Sequence, residues 1–106
     1  MSAEYMHIGI PVLNKKPNMV YNEWGGFWVN ESVDEYDYKI EYLKFEEGTR
    51  FPEILSKQPH VAYAVDKLEP YIENADQVIF GPEAVDDDRL AFVIKDDAII
   101  ELYEAH

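Results

Sequence analysis

Two of the chain's three histidines, His7 and His60, each begin a short apolar run that ends in valine, HIGIPV and HVAYAV. Each half of the sequence also closes on a similar run, IEYL at 40–43 with Glu41 and IELY at 100–103 with Glu101. Two neutral imidazoles and two carboxylates suit Zn, Ni, Co, Mn or Fe(II), and they leave coordination positions open for water and substrate. We therefore predict that these four residues bind a divalent metal ion.

Each residue also has a simpler interpretation. A lone histidine in a strand is more often structural than a ligand, and a glutamate in a strand often faces solvent. The match between IEYL and IELY is four residues of common strand composition. We favour the metal site because all four residues occupy equivalent places in two half-sequences. The third histidine, His106, ends the chain and is left out of the site.

A duplicated set of strands would position these side chains. In the second half, HVAYAVD predicts a strand and DKLEPYIENAD a short helix, with Asp66 as N-cap and Pro70 in the first turn. QVIFGPEAV, RLAFVIKDD and AIIELYEA then predict three strands, the last two joined by a turn at 96–97. The second half therefore has the order βαβββ.

The first half is predicted to be a shortened copy that lacks most of the helix. Residues 5–12 and 36–45 have strand patterns, and FWVNES is rich in strand-forming residues. MVYNEW is ambiguous between a helical turn and a strand. The sequence thus predicts a single α+β domain over 1–106. Module one spans about 5–47, a connector about 48–58 and module two about 59–105. The connector could hold a turn of helix near 52–56.

Side-chain alternation in the predicted strands identifies candidate pocket-lining residues. Residues two apart in a strand share a face, so small residues accompany the two histidines while the bulky residues of those strands lie opposite. A pocket on the ligand side and a core on the bulky side would explain this division. Close packing of another element against the small residues would explain it equally well. The residues predicted to line the pocket are Gly9, Lys39, Leu43, Ala62 and Ala64.

Composition limits the possible partners. A formal net charge of −13, from 22 acidic and 9 basic residues, disfavours nucleic acid and anionic membranes. The absence of cysteine excludes disulfides and thiolate chemistry. Neither a signal peptide nor an apolar run of membrane-spanning length is evident, so we expect a cytoplasmic protein. Asp86, Asp87 and Asp88 predict a solvated turn in preference to a calcium site.

The sequence resembles the vicinal oxygen chelate superfamily of glyoxalases, methylmalonyl-CoA epimerases, ring-cleaving dioxygenases and bleomycin-resistance proteins. The resemblance rests on HIGIPV, YKIEYL, PHVAYAVDKLE and RLAFVIKDDAIIELYE. It implies two βαβββ modules, the first shortened, in a cupped and incompletely closed mixed β-sheet. It also implies a divalent metal on His7, Glu41, His60 and Glu101.

For function, the resemblance implies a metal-dependent lyase or isomerase of the glyoxalase or epimerase type, acting on a small molecule with vicinal oxygens. Glu41 or Glu101 would be the catalytic base, and a homodimer is expected by family analogy. The presence of Glu41 favours this branch, because ring-cleaving dioxygenases generally use only the two histidines and the last glutamate. The alternatives are a non-catalytic small-molecule-binding protein of the bleomycin-resistance type and an interaction domain that keeps only the fold.

Overall fold

The computed structural model describes residues 2–31 and 38–106, and most of these residues are in β-strands. The chain forms two compact units. The C-terminal unit comprises the residues up to Met6 together with His60–His106, and the N-terminal unit comprises His7–Pro59. The first strand, β1 (Ala3–Pro11), begins in the C-terminal unit and continues into the N-terminal unit.

The N-terminal unit is a mixed sheet. It contains the rest of β1 with β2 (Met19–Asn22), β3 (Phe27–Asn30) and β4 (Ile40–Phe45). The strand order is β2–β3–β4–β1, in which β1 and β4 are parallel and the other neighbours antiparallel. A 3-10 helix at Glu53–Ser56 follows, which confirms the predicted turn of helix in the connector.

The C-terminal unit contains four strands of mixed direction and the only α-helix of the described residues. It contains β5 (His60–Val65), α1 (Glu69–Asn74), β6 (Gln77–Val85), β7 (Asp88–Lys95) and β8 (Ala98–Glu104). The order is β6–β7–β8–β5, with β5 and β8 parallel and the other neighbours antiparallel. Each unit therefore repeats one strand order, in which the first strand runs parallel to the last.

The predicted cap of α1 is wrong. The N-cap is Leu68, whose side chain makes no capping hydrogen bond, and Asp66 instead accepts a hydrogen bond from the Lys67 amide at 3.0 Å. Leu68 is fully buried, and its amide donates to Glu104 Oε2 at 2.8 Å. Burial of Leu68 and this distant carboxylate set the start of the helix, which a local capping pattern cannot show. Pro70 lies in the first turn as predicted.

The strand predicted at 36–45 is shorter than expected. Strand β4 begins at Ile40, because Lys39 adopts a left-handed backbone conformation at φ +52° that a strand does not continue. The predicted positions at Tyr36 and Asp37 lie outside the described residues. The ambiguous MVYNEW run contains β2, and a turn through Gly25 and Gly26 connects β2 to β3.

Each turn has a local physical cause. The Asn22 carbonyl accepts from the Gly26 amide and its side chain accepts from Gly25, each at 2.8 Å, and Gly26 has φ +74°. Asp96 and Asp97, at φ +52° and +67°, form the predicted two-residue turn between β7 and β8. Aspartate tolerates this left-handed conformation, and paired positive φ values give the twist that an antiparallel hairpin requires.

The two units cover their sheets differently. In the C-terminal unit, α1 packs against one sheet face, where Leu68 lies among the buried residues Val65, Ala91, Val93 and Leu102. In the N-terminal unit, the segment that replaces the helix places Lys15 Nζ 3.8 Å from the Trp28 ring centroid and Lys16 Nζ 4.8 Å from that of Tyr42. Lysine stems and cation–π contacts cover aromatic surface there without a helix.

Aromatic rings form much of the N-terminal unit's core. Phe51 lies centrally, with ring centroids 5.7, 5.8 and 6.1 Å from those of Trp24, Phe27 and Phe45. A Cβ on Gly25 would come within 2.2 Å of the Phe27 ring. Gly25 is therefore required for this packing.

Candidate metal centre

In the N-terminal unit, His7 on β1 and Glu41 on β4 form a close pair. The two strands are parallel, and Gly9, two residues after the histidine, is the direct partner of Glu41. His7 Nε2 lies 3.3 Å from Glu41 Oε1, and the side chains are 10% and 20% exposed. The pair is therefore largely withdrawn from water while a carboxylate edge remains accessible.

In the C-terminal unit, His60 on β5 and Glu101 on β8 form a pair of the same design. These strands are also parallel, and Ala62, two residues after the histidine, is the direct partner of Glu101. His60 Nε2 lies 3.0 Å from Glu101 Oε1, and the side chains are 2% and 13% exposed. Both pairs thus use the same offset between the first and last strands of their units.

The residue directly opposite each glutamate is small. Gly9 and Ala62 are both buried, and each shares a face with its histidine by period-two alternation. A larger side chain here would stand next to the glutamate and between the two functional groups. A glycine or alanine at this position lets the imidazole and the carboxylate approach diagonally across the strands.

The distances within each pair fit joint coordination of one ion. Zinc-type metals hold histidine nitrogen at about 2.0–2.1 Å and carboxylate oxygen at about 2.0–2.2 Å. Two such ligands are then about 3.0 Å apart at a right angle and about 3.4 Å apart at a tetrahedral angle. The observed 3.0 and 3.3 Å fall at these values. His7, Glu41, His60 and Glu101 are a group of residues that could hold a metal ion.

Two phenylalanine rings border the second pair, and the sequence did not predict them as site residues. Phe92, on β7, is the direct partner of Glu101, and its ring meets the His60 ring edge-on with centroids 5.2 Å apart. Phe80, on β6, stacks edge-on against Phe92 at 6.0 Å. These rings hold the imidazole in place and lower the local dielectric, which strengthens electrostatic interactions. Because RLAFVIK is apolar on both faces, alternation gave no sign of which residue would flank the pair.

Asn30 is a second residue that the sequence analysis missed. It ends β3, and its side chain continues the sheet. Its Nδ2 donates to the Ile40 carbonyl at 3.1 Å, and its Oδ1 accepts from the Tyr42 amide at 2.7 Å. These two backbone groups flank Glu41. Asn30 therefore fixes the backbone on both sides of a candidate ligand, and an asparagine at the end of FWVN is the only sequence signal for it.

The residues predicted to line a pocket occupy several environments. Leu43 and Ala62 are 3% and 0% exposed, Gly9 is buried, and Ala64 is half-buried on the His60 side of β5. Lys39 lies before the start of β4, so strand alternation from Glu41 does not extend to it. That these residues line a substrate pocket stays a prediction.

A separate charged network joins α1 to the sheet of the C-terminal unit. Arg89 donates from Nε to Glu104 Oε1 at 2.9 Å and from Nη2 to Glu104 Oε2 at 2.7 Å, and it also binds Glu69. The hydrogen bonds from Arg89, with one from the Leu68 amide, hold the pKa of Glu104 below its usual value. The same guanidinium lowers the pKa of Glu69. This network is structural, since its members tie helix to strand.

The acidic triplet at 86–88 does not form a cation cage. Asp86 and Asp87 are exposed turn residues, as predicted, and Asp88 begins β7. Asp88 accepts hydrogen bonds from the Tyr103 hydroxyl and from the His106 amide, the latter at 2.7 Å. The hydrogen bond to Asp88 raises the pKa of Tyr103 to about 12.

Comparison with solved structures identifies a protein of the same fold. The chain is similar to a hypothetical protein from Bacillus halodurans C-125, with 22% sequence identity and a TM-score of 0.63 over 100% of this chain and 96% of that chain. No protein-family model and no curated protein matches the chain. The mixed sheets and the His and Glu residues fit a glyoxalase-like fold. Among the described helices, none combines the length and apolar character needed to cross a membrane.

Proposed function

We propose that this protein is a divalent-metal-dependent lyase or isomerase of the vicinal oxygen chelate type, with His7, Glu41, His60 and Glu101 as ligands of one ion. The observation that carries the proposal is the repeated His–Glu geometry. Two parallel strand pairs, one in each unit, bring histidine Nε2 to 3.3 and 3.0 Å from a glutamate oxygen at the same strand offset.

The donor set supports a catalytic ion. Imidazole ligands favour transition metals and zinc over Ca²⁺ and Mg²⁺, and the two carboxylates offset the charge of a divalent ion. Four protein ligands would leave coordination positions open for a small substrate. A bound ion would supply Lewis acidity toward the substrate's oxygens.

The chain's own residues would perform the proton chemistry. Glu41 or Glu101 would accept the proton from the substrate carbon and return it, since each carboxylate keeps part of its surface exposed. Phe92 would exclude water on the Glu101 side, and Asn30 would hold the Glu41 backbone. We further propose that the two units are duplicated modules of a cupped sheet. We also propose that the protein is a homodimer, and light scattering would test the dimer directly.

Metal stoichiometry and affinity test the proposed site. Protein loaded separately with Zn, Ni or Co and dialysed should retain one ion per chain, measured by elemental analysis. Both His7→Ala and His60→Ala should weaken binding by at least about 100-fold, since loss of an outer-shell partner alone costs about 10–100-fold. His106→Ala is the matched control and should change nothing. Two ions per chain would refute the single site. An unchanged metal affinity in a variant that carries both His7→Ala and His60→Ala would refute it as well.

The assignment of the base has its own test. With metal bound, the protein should catalyse deuterium exchange from solvent into the carbon next to the carbonyl of a small α-hydroxy ketone. Glu41→Gln or Glu101→Gln should abolish exchange while the variant still binds the metal, because an amide oxygen can remain a ligand but cannot act as the base. Equal exchange in both variants and the unaltered protein would exclude both glutamates as the base.

A non-catalytic small-molecule-binding protein is the second candidate. It is favoured by the His60–Glu101 contact itself, since a histidine and a carboxylate at 3.0 Å already satisfy each other in a structural pair. A small-molecule screen in EDTA separates the two functions. A compound that raises the melting temperature of metal-free protein in EDTA, and loses this effect in His60→Ala, supports the binding function at this site and contradicts the enzymatic one.

A further inference from the structure

A cavity lies in the C-terminal unit beside α1 and the sheet face that the helix covers. It has a volume of about 170 Å³ and is lined by Tyr71 of α1, by Ala75 just after the helix, and by strand residues of the sheet. Val93 and Ile100 are direct partners on β7 and β8 and form part of this wall. Glu101 alternates with Ile100 along β8, so the cavity lies on the sheet face opposite the His60–Glu101 pair.

The size and lining define what the cavity can hold. An apolar cavity of about 150 Å³ can remain dry and take up a single benzene ring. The present cavity is slightly larger and is open to solvent on one side, and its walls are tyrosine rings and aliphatic side chains, including Tyr63 and Leu102. Aromatic ligands gain both buried apolar area and edge-to-face contacts in such surroundings.

The charged groups at the edge of the cavity disfavour an anionic ligand. Lys95 is the one cationic lining residue, and its Nζ lies 3.9 Å from Asp76 Oδ1. Asp76 is itself fixed, because its Oδ2 accepts from the Asp96 amide at 2.9 Å. A carboxylate therefore already lies near the lysine, and a chain of net charge −13 opposes a further anion. Asn74 at the rim offers an uncharged polar group.

We propose that this cavity is a binding site for an uncharged molecule of one aromatic ring, separate from the metal centre. The ring lies between Tyr71 and the strand residues Val93 and Ile100, and any polar substituent lies toward Asn74. Binding of the ring stabilises the packing of α1 against the sheet, because the ligand supplies contacts that the cavity walls otherwise lack.

Toluene is the probe, and metal-free protein in EDTA is the sample. At ten times its dissociation constant, toluene should raise the melting temperature by roughly 6–11 °C. Intermolecular NOEs from toluene should reach the methyl groups of Val93 and Ile100. Benzoate, of similar size but anionic, should bind at least about tenfold more weakly, since the acidic surface repels it.

A cavity-filling variant provides the control. Ala75→Leu should abolish the toluene-dependent rise, whereas Ala84→Leu, on an exposed position of β6 outside the cavity, should retain it. The NOEs need no variant, so they test the site even if Ala75→Leu folds poorly. The proposal is overturned if toluene gives no NOE to Val93 or Ile100, if benzoate binds as tightly, or if Ala75→Leu responds like the unaltered protein.

Discussion

Replacing Asn30 by alanine should weaken both the fold and the candidate metal centre, by separable amounts. The side chain makes two partly buried hydrogen bonds to backbone groups, at 3.1 and 2.7 Å. Each such bond contributes a net of about 0.5–1.5 kcal/mol, so Asn30→Ala should lower the free energy of unfolding by about 1–3 kcal/mol. For a domain of this size, each kcal/mol corresponds to a fall in melting temperature of roughly 4–8 °C.

The effect on metal affinity follows from the position of the two bonds. They hold the backbone at Ile40 and Tyr42, on either side of Glu41, so their loss frees the ligand-bearing segment of β4. Removing an outer-shell partner of this kind weakens metal binding by about 10–100-fold. Urea unfolding in EDTA measures stability without the ion, and competition with a cobalt chelator measures affinity.

Asn22→Ala is the matched control, since Asn22 is also an asparagine that accepts from backbone in the N-terminal unit. Its side chain accepts one hydrogen bond, from the Gly25 amide at 2.8 Å, in the β2–β3 turn. We expect this variant to lose about 0.5–1.5 kcal/mol and to bind cobalt normally. If Asn30→Ala unfolds at the same urea concentration as the unaltered protein, or binds cobalt as tightly as Asn22→Ala, the positioning argument is wrong.

Three further predictions concern the two units separately. Leu68→Ala should lower the free energy of unfolding by about 2–5 kcal/mol in urea titrations, because the side chain is fully buried at the start of α1; a loss below that range would contradict the packing. Gly25→Ala should cost about 1–3 kcal/mol, since the new Cβ would lie 2.2 Å from a Phe27 ring atom; an unchanged urea midpoint would show that the ring moves freely. The pKa of Glu104 is lowered in the folded state. The Arg89 network therefore stabilises the fold above the unfolded pKa, and this stabilisation is lost as pH falls through the folded pKa. Urea midpoints measured from about pH 7 to about pH 3 should fall less steeply in Glu104→Gln than in the unaltered protein, and parallel curves would exclude Glu104 from acid unfolding.

Local patterns predicted most elements because they depend on neighbouring residues alone. Alternation and turn residues placed β5, β7 and β8 and the Asp96–Asp97 turn, and Pro70 fell in the first helical turn as expected. The prediction of the α1 N-cap failed because it depended on distant groups. The start of α1 is set by burial of Leu68 and by Glu104, which lies 36 residues away.

The sequence by itself determined the types of the four candidate ligands and their repeated order, a histidine in the first strand and a glutamate in the last strand of each half. Tertiary structure decided the parallel register that places Gly9 opposite Glu41 and Ala62 opposite Glu101, and hence the 3.3 and 3.0 Å contacts. It also brought Asn30 and Phe92 beside those glutamates. Register depends on the packing of whole sheet faces, because a slip of one residue would turn every side chain to the other face.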